Sequence, residues 1–220
     1  EIYTLSLHDA LPISSLIILD ASTSEPAMTY ALAEQAAAKG VRFADIPLTR
    51  GPREAEAGQV NVLVGADDEL YTEIAPIVGC FADNVYRCGG LGSGHIIKLA
   101  NNTVFQSALT MLAECFTVCV KTGVDPAKLI EVLSGGGFAT GGPLQIMAAS
   151  LRGDYEGLIF ELDNARKDVR YYNRLAADLS IPAAVGGGVH EALKTASALG
   201  FGGELTKRSE ERRVGKECRS

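Results

Sequence analysis

The sequence predicts an α/β unit followed by an all-α unit, the first being the C-terminal part of a doubly wound sheet. Three observations carry this. Up to Gly89, short apolar runs alternate with helical stretches, which is the grammar of βαβ units. The glycine-rich stretch Gly90-Leu91-Gly92-Ser93-Gly94 then interrupts the pattern, and beyond it apolar residues recur only at helical spacing.

The elements follow in order. Leu16 to Asp20 is a short apolar run ending in an acid, which reads as a buried parallel strand. Ala21 to Pro26 has the small hydroxyl residues and proline of a helix start, Met28 to Lys39 is an alanine-rich helix, and Gly40 ends it. Val41 to Asp45 and Val60 to Gly65 read as strands, Asp68 to Val78 as a helix, and Asn84 to Arg87 as a fourth, edge-like strand. From Ile96 to Thr122 one long helix makes about seven turns. Gly123 stops it, and Asp125-Pro126 starts another helix that runs through Leu133. After a glycine-rich loop at Ser134 to Gly142, helices at Leu144 to Leu151, Ala165 to Leu179 and Val185 to Leu199 complete the chain, with a break at Ser180-Ile181-Pro182. No internal repeat of fixed period is present.

The ends read differently. With suitable codons, the nucleotide string for residues 1–13 (EIYTLSLHDALPI) has a reverse complement that encodes residues 208–220 (RSEERRVGKECRS). This resembles sequencing-adaptor read-through, so both segments are expected to be non-native scars around a native insert cut at both ends. Leu5, Leu7, Leu11 and Ile13 do not form a signal peptide, since no basic residues precede a sustained apolar run.

Composition narrows the function classes. A hydrophobic content of 47% over 220 residues supports a sizeable core. The net charge of -7, with the basic cluster Arg212, Arg213 and Lys216 confined to the C-terminal segment, argues against a nucleic-acid partner. The absence of any unbroken run of eighteen apolar residues argues against a membrane span. Of five cysteines, none forms a paired metal-ligand pattern; Cys115 and Cys119, four apart in a helical run, read as buried thiols. A reducing, cytoplasmic setting is expected.

Chemistry concentrates behind the glycines. Lys98 and Asn102, four apart, point from one face of the long helix. The pattern Gly92-x-Gly94-x-x-x-Lys98-x-x-Asn101-Asn102 resembles the catalytic signature of the β-hydroxyacid dehydrogenase family, and the resemblance extends over essentially all of Ser14 to Gly203. It implies a Rossmann-type dinucleotide-binding domain at residues 14–90, partial here, and a helical substrate and oligomerisation domain at 91–207. It also implies NAD or NADP as cofactor, a small carboxylate substrate of the 3-hydroxyisobutyrate, tartronate semialdehyde or glyoxylate type, and a homo-oligomer built through the helical domain. By the resemblance Lys98 is the acid/base residue and Asn102 helps hold the substrate. Hydride transfer at an alcohol carbon needs such a group, and a lysine serves near neutral pH only if its pKa falls from about 10.4.

Three further segments resemble the family. Asp45-Ile46-Pro47-Leu48-Thr49-Arg50-Gly51 is similar to its substrate segment D-A-P-V-S-G-G, with Arg50 standing where a glycine is usual. Thr49, Arg50 and Gly51 are therefore expected at the substrate; Arg50 either grips a carboxylate through paired hydrogen bonds or bonds to a nearby loop. Ser22-Thr23 matches the loop whose threonine, Thr23, lies on the nicotinamide side. Phe160 and the Lys167-Asp168 pair match residues bordering substrate and, for Lys167, cofactor; a solvated helix face is the alternative for the pair.

The family's opening G-x-G-x-x-G turn is not found: Gly135-Gly136-Gly137 and Gly186-Gly187-Gly188 do not sit between a strand and a helix. Two functions remain open: an NAD(P)-dependent oxidoreductase fragment, inactive as it stands, or a non-catalytic helical assembly module.

Overall fold

The computed structural model describes residues 16–136, 141–154 and 160–203. The proposed end segments 1–13 and 208–220 lie outside these. The chain divides into two compact units, Glu1–Lys98 and Leu99–Ser220.

In the first unit, strands β1 (Ile17–Asp20), β2 (Arg42–Asp45), β3 (Leu48–Thr49), β4 (Val60–Gly65) and β5 (Ala82–Gly89) form one sheet. Helices α1 (Pro26–Ala37), α2 (Pro52–Glu56) and α3 (Asp68–Val78) connect them. The sheet order is β1-β2-β4-β3, with β5 also on β4. β1 pairs parallel with β2, and β4 parallel with β5; β3 runs antiparallel to β4, and β2 meets β4 antiparallel at the single pair Asp45↔Gly65.

The sheet is thus mixed. The two-residue β3 and the one-turn α2 have no counterpart in the sequence reading, because neither is long enough to show a period. β5 is longer than Asn84 to Arg87, and none of its residues is fully buried, which suits a strand that, among the described residues, pairs with β4 alone.

Sequence logic accounts for the rest. Pro26 occupies the first helical position of α1, and Gly40 leaves its end at φ 72. The Asp67 side chain accepts the Leu70 amide at 2.8 Å to start α3, and Leu70, Ile74 and Val78, one turn apart, then face the sheet. β4 is buried along nearly its whole length, which is why its sequence is a near-continuous apolar run.

The long helix α4 (Ser93–Lys121) begins in the first unit and continues into the second. There α5 (Pro126–Gly135), α6 (Gly142–Leu151), α7 (Leu162–Asp178) and α8 (Ala184–Ala196) follow, ending in a π-helical turn at Ser197–Phe201. The helix predicted to Leu199 changes character at Ser197, and Gly200 at φ 92 breaks it. The expected loop at Ser134 to Gly142 is partly taken up by α5 and α6, and its residues 137–140 lie outside the described ones.

Two apolar clusters hold this unit. Leu109, Ala113 and Phe116 of α4 pack with Met147 of α6, flanked by Leu129 and Ile130 of α5. Leu162, Ala165 and Val169 of α7 pack with Val189, Leu193 and Ala196 of α8 and with Phe201. Each fully buried Leu or Val contributes roughly 1.5–3 kcal/mol. Asp163 of α7 fastens the last described turn: it accepts the Ser197 hydroxyl at 2.7 Å, and its amide donates to the Gly202 carbonyl at 3.0 Å.

The longest helix bears on the membrane expectation. Over its most apolar eighteen-residue window α4 has a mean hydropathy of 1.5, and by length and composition it is able to cross a membrane. Asn101, Asn102, Thr103, Gln106 and Glu114 interrupt the apolar run, which hid this from a count of consecutive residues.

His190 of α8 supplies a test of the helical unit. Burial pushes its imidazole below the ordinary value of 6.5, partly offset by Glu191. The unfolded chain therefore takes up this proton first, so the contribution is present above pH about 6.5 and is lost as pH falls below it. Chemical denaturation at stepped pH should show His190→Gln flattening that decline relative to the unsubstituted protein.

Candidate active site

The polar contacts of the first unit grow from the end of β2. Asp45 is wholly buried; its Oδ1 accepts the Gly92 amide at 2.6 Å and its Oδ2 the His95 amide at 2.8 Å. The amides that open a helix have no partner within it, and the helix dipole favours negative charge there, so this carboxylate caps α4 from the sheet.

The glycines around it are demanded by packing. A Cβ on Gly65 would lie 2.2 Å from Asp45 Oδ1, and one on Gly94 would lie 2.5 Å from the Leu63 carbonyl oxygen. Gly92 has φ 85, and a Cβ there would meet the Tyr30 ring. The glycine spacing thus serves the close approach of helix and sheet, where the sequence suggested room for a ligand.

His95, one turn before Leu99, is buried and ties three segments together. Its Nε2 donates to the Ser22 carbonyl at 3.1 Å, since a carbonyl only accepts, and its Nδ1 lies 2.7 Å from Thr29 Oγ1 on α1. The Ser22 amide in turn donates to Asp20 Oδ1 at 2.9 Å. The loop that carries half-buried Thr23 is therefore bonded at both sides of Ser22, to β1 and to the start of α4.

Thr49 lies in β3 opposite Asn61. Arg50 follows at φ 72, in the left-handed region, which accounts for the glycine usual at this place in the resembling segment. Its Nη1 donates to the Gln59 carbonyl at 2.5 Å and to Asp83 Oδ2 at 2.8 Å. Of the two roles open to Arg50, the structure displays the loop bond. Gly51 precedes α2, and its amide donates to Glu54 Oε2 at 2.9 Å. Backbone hydrogen bonds from Glu54's own amide and from Gly51 hold the Glu54 carboxyl below its ordinary value.

The second unit has a polar cluster of its own. Asn102 Nδ2 donates to Asp168 Oδ2 at 2.7 Å, joining α4 to α7. Asp168 is 1% exposed, so a solvated face is not its setting. Its Oδ1 has no hydrogen-bond partner among the described residues, while Lys167 Nζ stands 3.3 Å from it and over the Tyr171 ring. Phe160 packs, half-buried, against the cluster of α7 and α8. Lys98 is half-buried and sits one turn before Asn102 on α4.

The structure thus joins Asn102, Lys167 and Asp168 in one unit, and Thr23 with the start of α4 in the other. Sequence reasoning missed the roles of Asp45, Thr29 and His95. An acid ending a buried strand was the available signal for the first.

These features define a sheet unit and a helical unit sharing one long helix that bears a lysine and an asparagine a turn apart. Residues 92–207 match the family model described as NAD-binding of NADP-dependent 3-hydroxyisobutyrate dehydrogenase, and residues 8–90 match the NAD binding domain of 6-phosphogluconate dehydrogenase. The first match takes in more than half of the chain, and the chain belongs to this family, the β-hydroxyacid dehydrogenases.

Among curated relatives, 2-(hydroxymethyl)glutarate dehydrogenase of Eubacterium barkeri is 28% identical over 86% of this chain and 62% of its own length. The 3-hydroxyisobutyrate dehydrogenase of Pseudomonas aeruginosa is 34% identical over 56% of this chain and 42% of its own. The chloroplastic glyoxylate/succinic semialdehyde reductase 2 of Arabidopsis thaliana is 28% identical over 84% and 52%. The chain therefore spans less than two thirds of the length of these relatives. The solved structure of 3-hydroxyisobutyrate dehydrogenase from Salmonella typhimurium shares the fold, with TM-score 0.76 at 20% identity, covering 89% of this chain and 68% of that one.

NAD or NADP is the cofactor class of the family. A polar loop at the carboxyl end of a parallel strand, here fixed by His95, is where such sheets bind ligands. No glycine lies between β1 and α1 to seat a diphosphate.

Two substitutions test this geometry. Helix propensity alone makes Gly94→Ala stabilising by about 1 kcal/mol, but overpacking against Asp45 and Leu63 should make it destabilising by about 2 kcal/mol in urea unfolding. Arg50→Gly should be about 1 kcal/mol more stable than Arg50→Ala, since both lose the half-exposed bond to Asp83 and only glycine relieves the backbone.

Proposed function

We propose that the protein is part of an NAD(P)-dependent oxidoreductase that moves a hydride between the nicotinamide and a small β-hydroxy acid or semialdehyde. The pair Lys98 and Asn102, with the Asn102 amide aimed by buried Asp168, carries this reading. A carboxylate only accepts hydrogen bonds, so Asp168 fixes the NH2 of Asn102 toward itself and turns the amide oxygen the other way. That oxygen accepts the Asn101 side-chain amide at 3.3 Å and keeps a second lone pair for a substrate hydroxyl, and Lys98, one turn earlier, takes the hydroxyl proton in oxidation or returns it in reduction. When bound, the nicotinamide supplies or receives the hydride.

Thr23 borders the nicotinamide, and Lys167 lies on the cofactor side. Thr49, Gly51 and Phe160 line the substrate, a short carboxylate bearing a hydroxymethyl or aldehyde group, as the names of the relatives share. Arg50, held by Asp83 and Gln59, shapes the loop beside it. The four described cysteines are free, in keeping with a reducing, cytoplasmic setting. The chain assembles as a homo-oligomer through its helical unit. The exposed apolar side chains of α4 favour this and would also serve the second reading, an inactive assembly module.

Following NADH and NADPH absorbance with glyoxylate and succinic semialdehyde, in the full-length protein of which this chain is a part, tests the choice. Turnover that Lys98→Met lowers by about 10²–10⁴ supports the oxidoreductase. No saturable binding of either cofactor, read by fluorescence, leaves the assembly module.

A further inference from the structure

A ring from the first turn of α4 grips the loop after β1 by its backbone. His95 has no exposed surface, and its bond of 3.1 Å to the Ser22 carbonyl fixes a proton on Nε2. On the other side of the ring, Thr29 Oγ1 stands 2.7 Å from Nδ1 and 3.3 Å from the Glu25 carbonyl oxygen. The hydroxyl donates to Nδ1, or it accepts from Nδ1 and donates to Glu25; the bond to Ser22 is kept either way. The Asp45 carboxylate holds the His95 amide at 2.8 Å, so backbone and ring are both fixed. A leucine would fill the space of the ring and leave the Ser22 carbonyl without its donor, so packing alone does not call for histidine here.

The consequence lies one bond further along the chain. The peptide joining Ser22 to Thr23 is planar and trans, so its C=O and N–H point in opposite directions. With the carbonyl turned onto His95, the Thr23 amide is turned away from the ring. Among the described residues that amide has no hydrogen-bond partner. It lies just past the carboxyl end of β1, the end at which such sheets receive ligands.

We propose that His95 is a positioning residue for the nicotinamide. Through the Ser22-Thr23 peptide it holds the Thr23 amide as an unpartnered donor on the ligand side of the loop. The proposal rests on the oxidoreductase reading above and adds to it a residue that, being fully buried, acts on the cofactor only through this peptide.

Two variants of the full-length protein test it. Glutamine carries an N–H at the reach of Nε2, whereas asparagine carries one only at the reach of Nδ1. His95→Asn should weaken NADH or NADPH binding, read by fluorescence titration, by about tenfold, the loss of one hydrogen bond. It should also raise the KM for that cofactor more than it lowers kcat. His95→Gln should bring affinity and KM back to within about threefold of the unsubstituted protein. In the cofactor-free proteins the Ser22 amide, bonded to Asp20 Oδ1, should exchange with deuterium faster in His95→Asn than in His95→Gln, because the loop is then held from one side only. Imidazole NMR of the unsubstituted protein should find the His95 proton on Nε2.

Asparagine and glutamine variants that weaken binding alike, or leave it alike unchanged, overturn the proposal, since a packing role does not tell the two apart. An imidazole without a proton on Nε2 overturns it with no variant needed, and this measurement decides if His95→Asn does not fold. An unsubstituted full-length protein that binds neither cofactor overturns the oxidoreductase reading itself, and the positioning role falls with it.

Discussion

A single buried carboxylate holds the architecture together. Asp45 ends β2, takes both of its hydrogen bonds from the opening turn of α4, and has no contact with water. A charge in that position is tolerated because two amides and the positive end of a helix stand in for solvent. Each such charge-assisted bond is worth about 1.5–3 kcal/mol, and their geometry sets where the helix starts and how closely it approaches the strands. The bare backbones of Gly65 and Gly94 are the other side of the same constraint, since either Cβ would occupy space the carboxylate and the Leu63 carbonyl already fill.

From that anchor α4 runs on past Lys98. His95 in its first turn holds the Ser22 carbonyl and so the loop bearing Thr23. Lys98 comes one turn after Gly94 along the helix, and Asn102 one turn further, where α7 offers Asp168. Side chains on helices and strand ends are held more tightly than those on loops alone. The exception is the segment at Arg50, where a non-glycine residue in the left-handed region is kept in place by bonds to Gln59 and Asp83 at the edge of the sheet.

The same helix carries two different faces. Leu109, Ala113 and Phe116 turn into the helical unit's core, while Val104, Met111 and Val118 point outward. Its composition alone, apolar with interspersed amides and hydroxyls, resembles a fully buried helix. Burial distinguishes the faces, because the two stripes are interleaved within each turn.

The sequence by itself determined the class of fold, the order of the main elements and the pairing of Lys98 with Asn102. These depend on periodicity, on proline and glycine punctuation and on a spacing of four, all of which are local along the chain. Tertiary structure decided the mixed pairing of the sheet, the burial of Asp168 behind Asn102, the capping of α4 by Asp45 and the engagement of Arg50 with Asp83. Each of these joins residues beyond the reach of local pattern, from 12 positions for Thr49 and Asn61 to 47 for Asp45 and Gly92 and 66 for Asn102 and Asp168. A carboxylate that will be buried and one that will be solvated are the same letter in the chain, and only the packing around it sets its role.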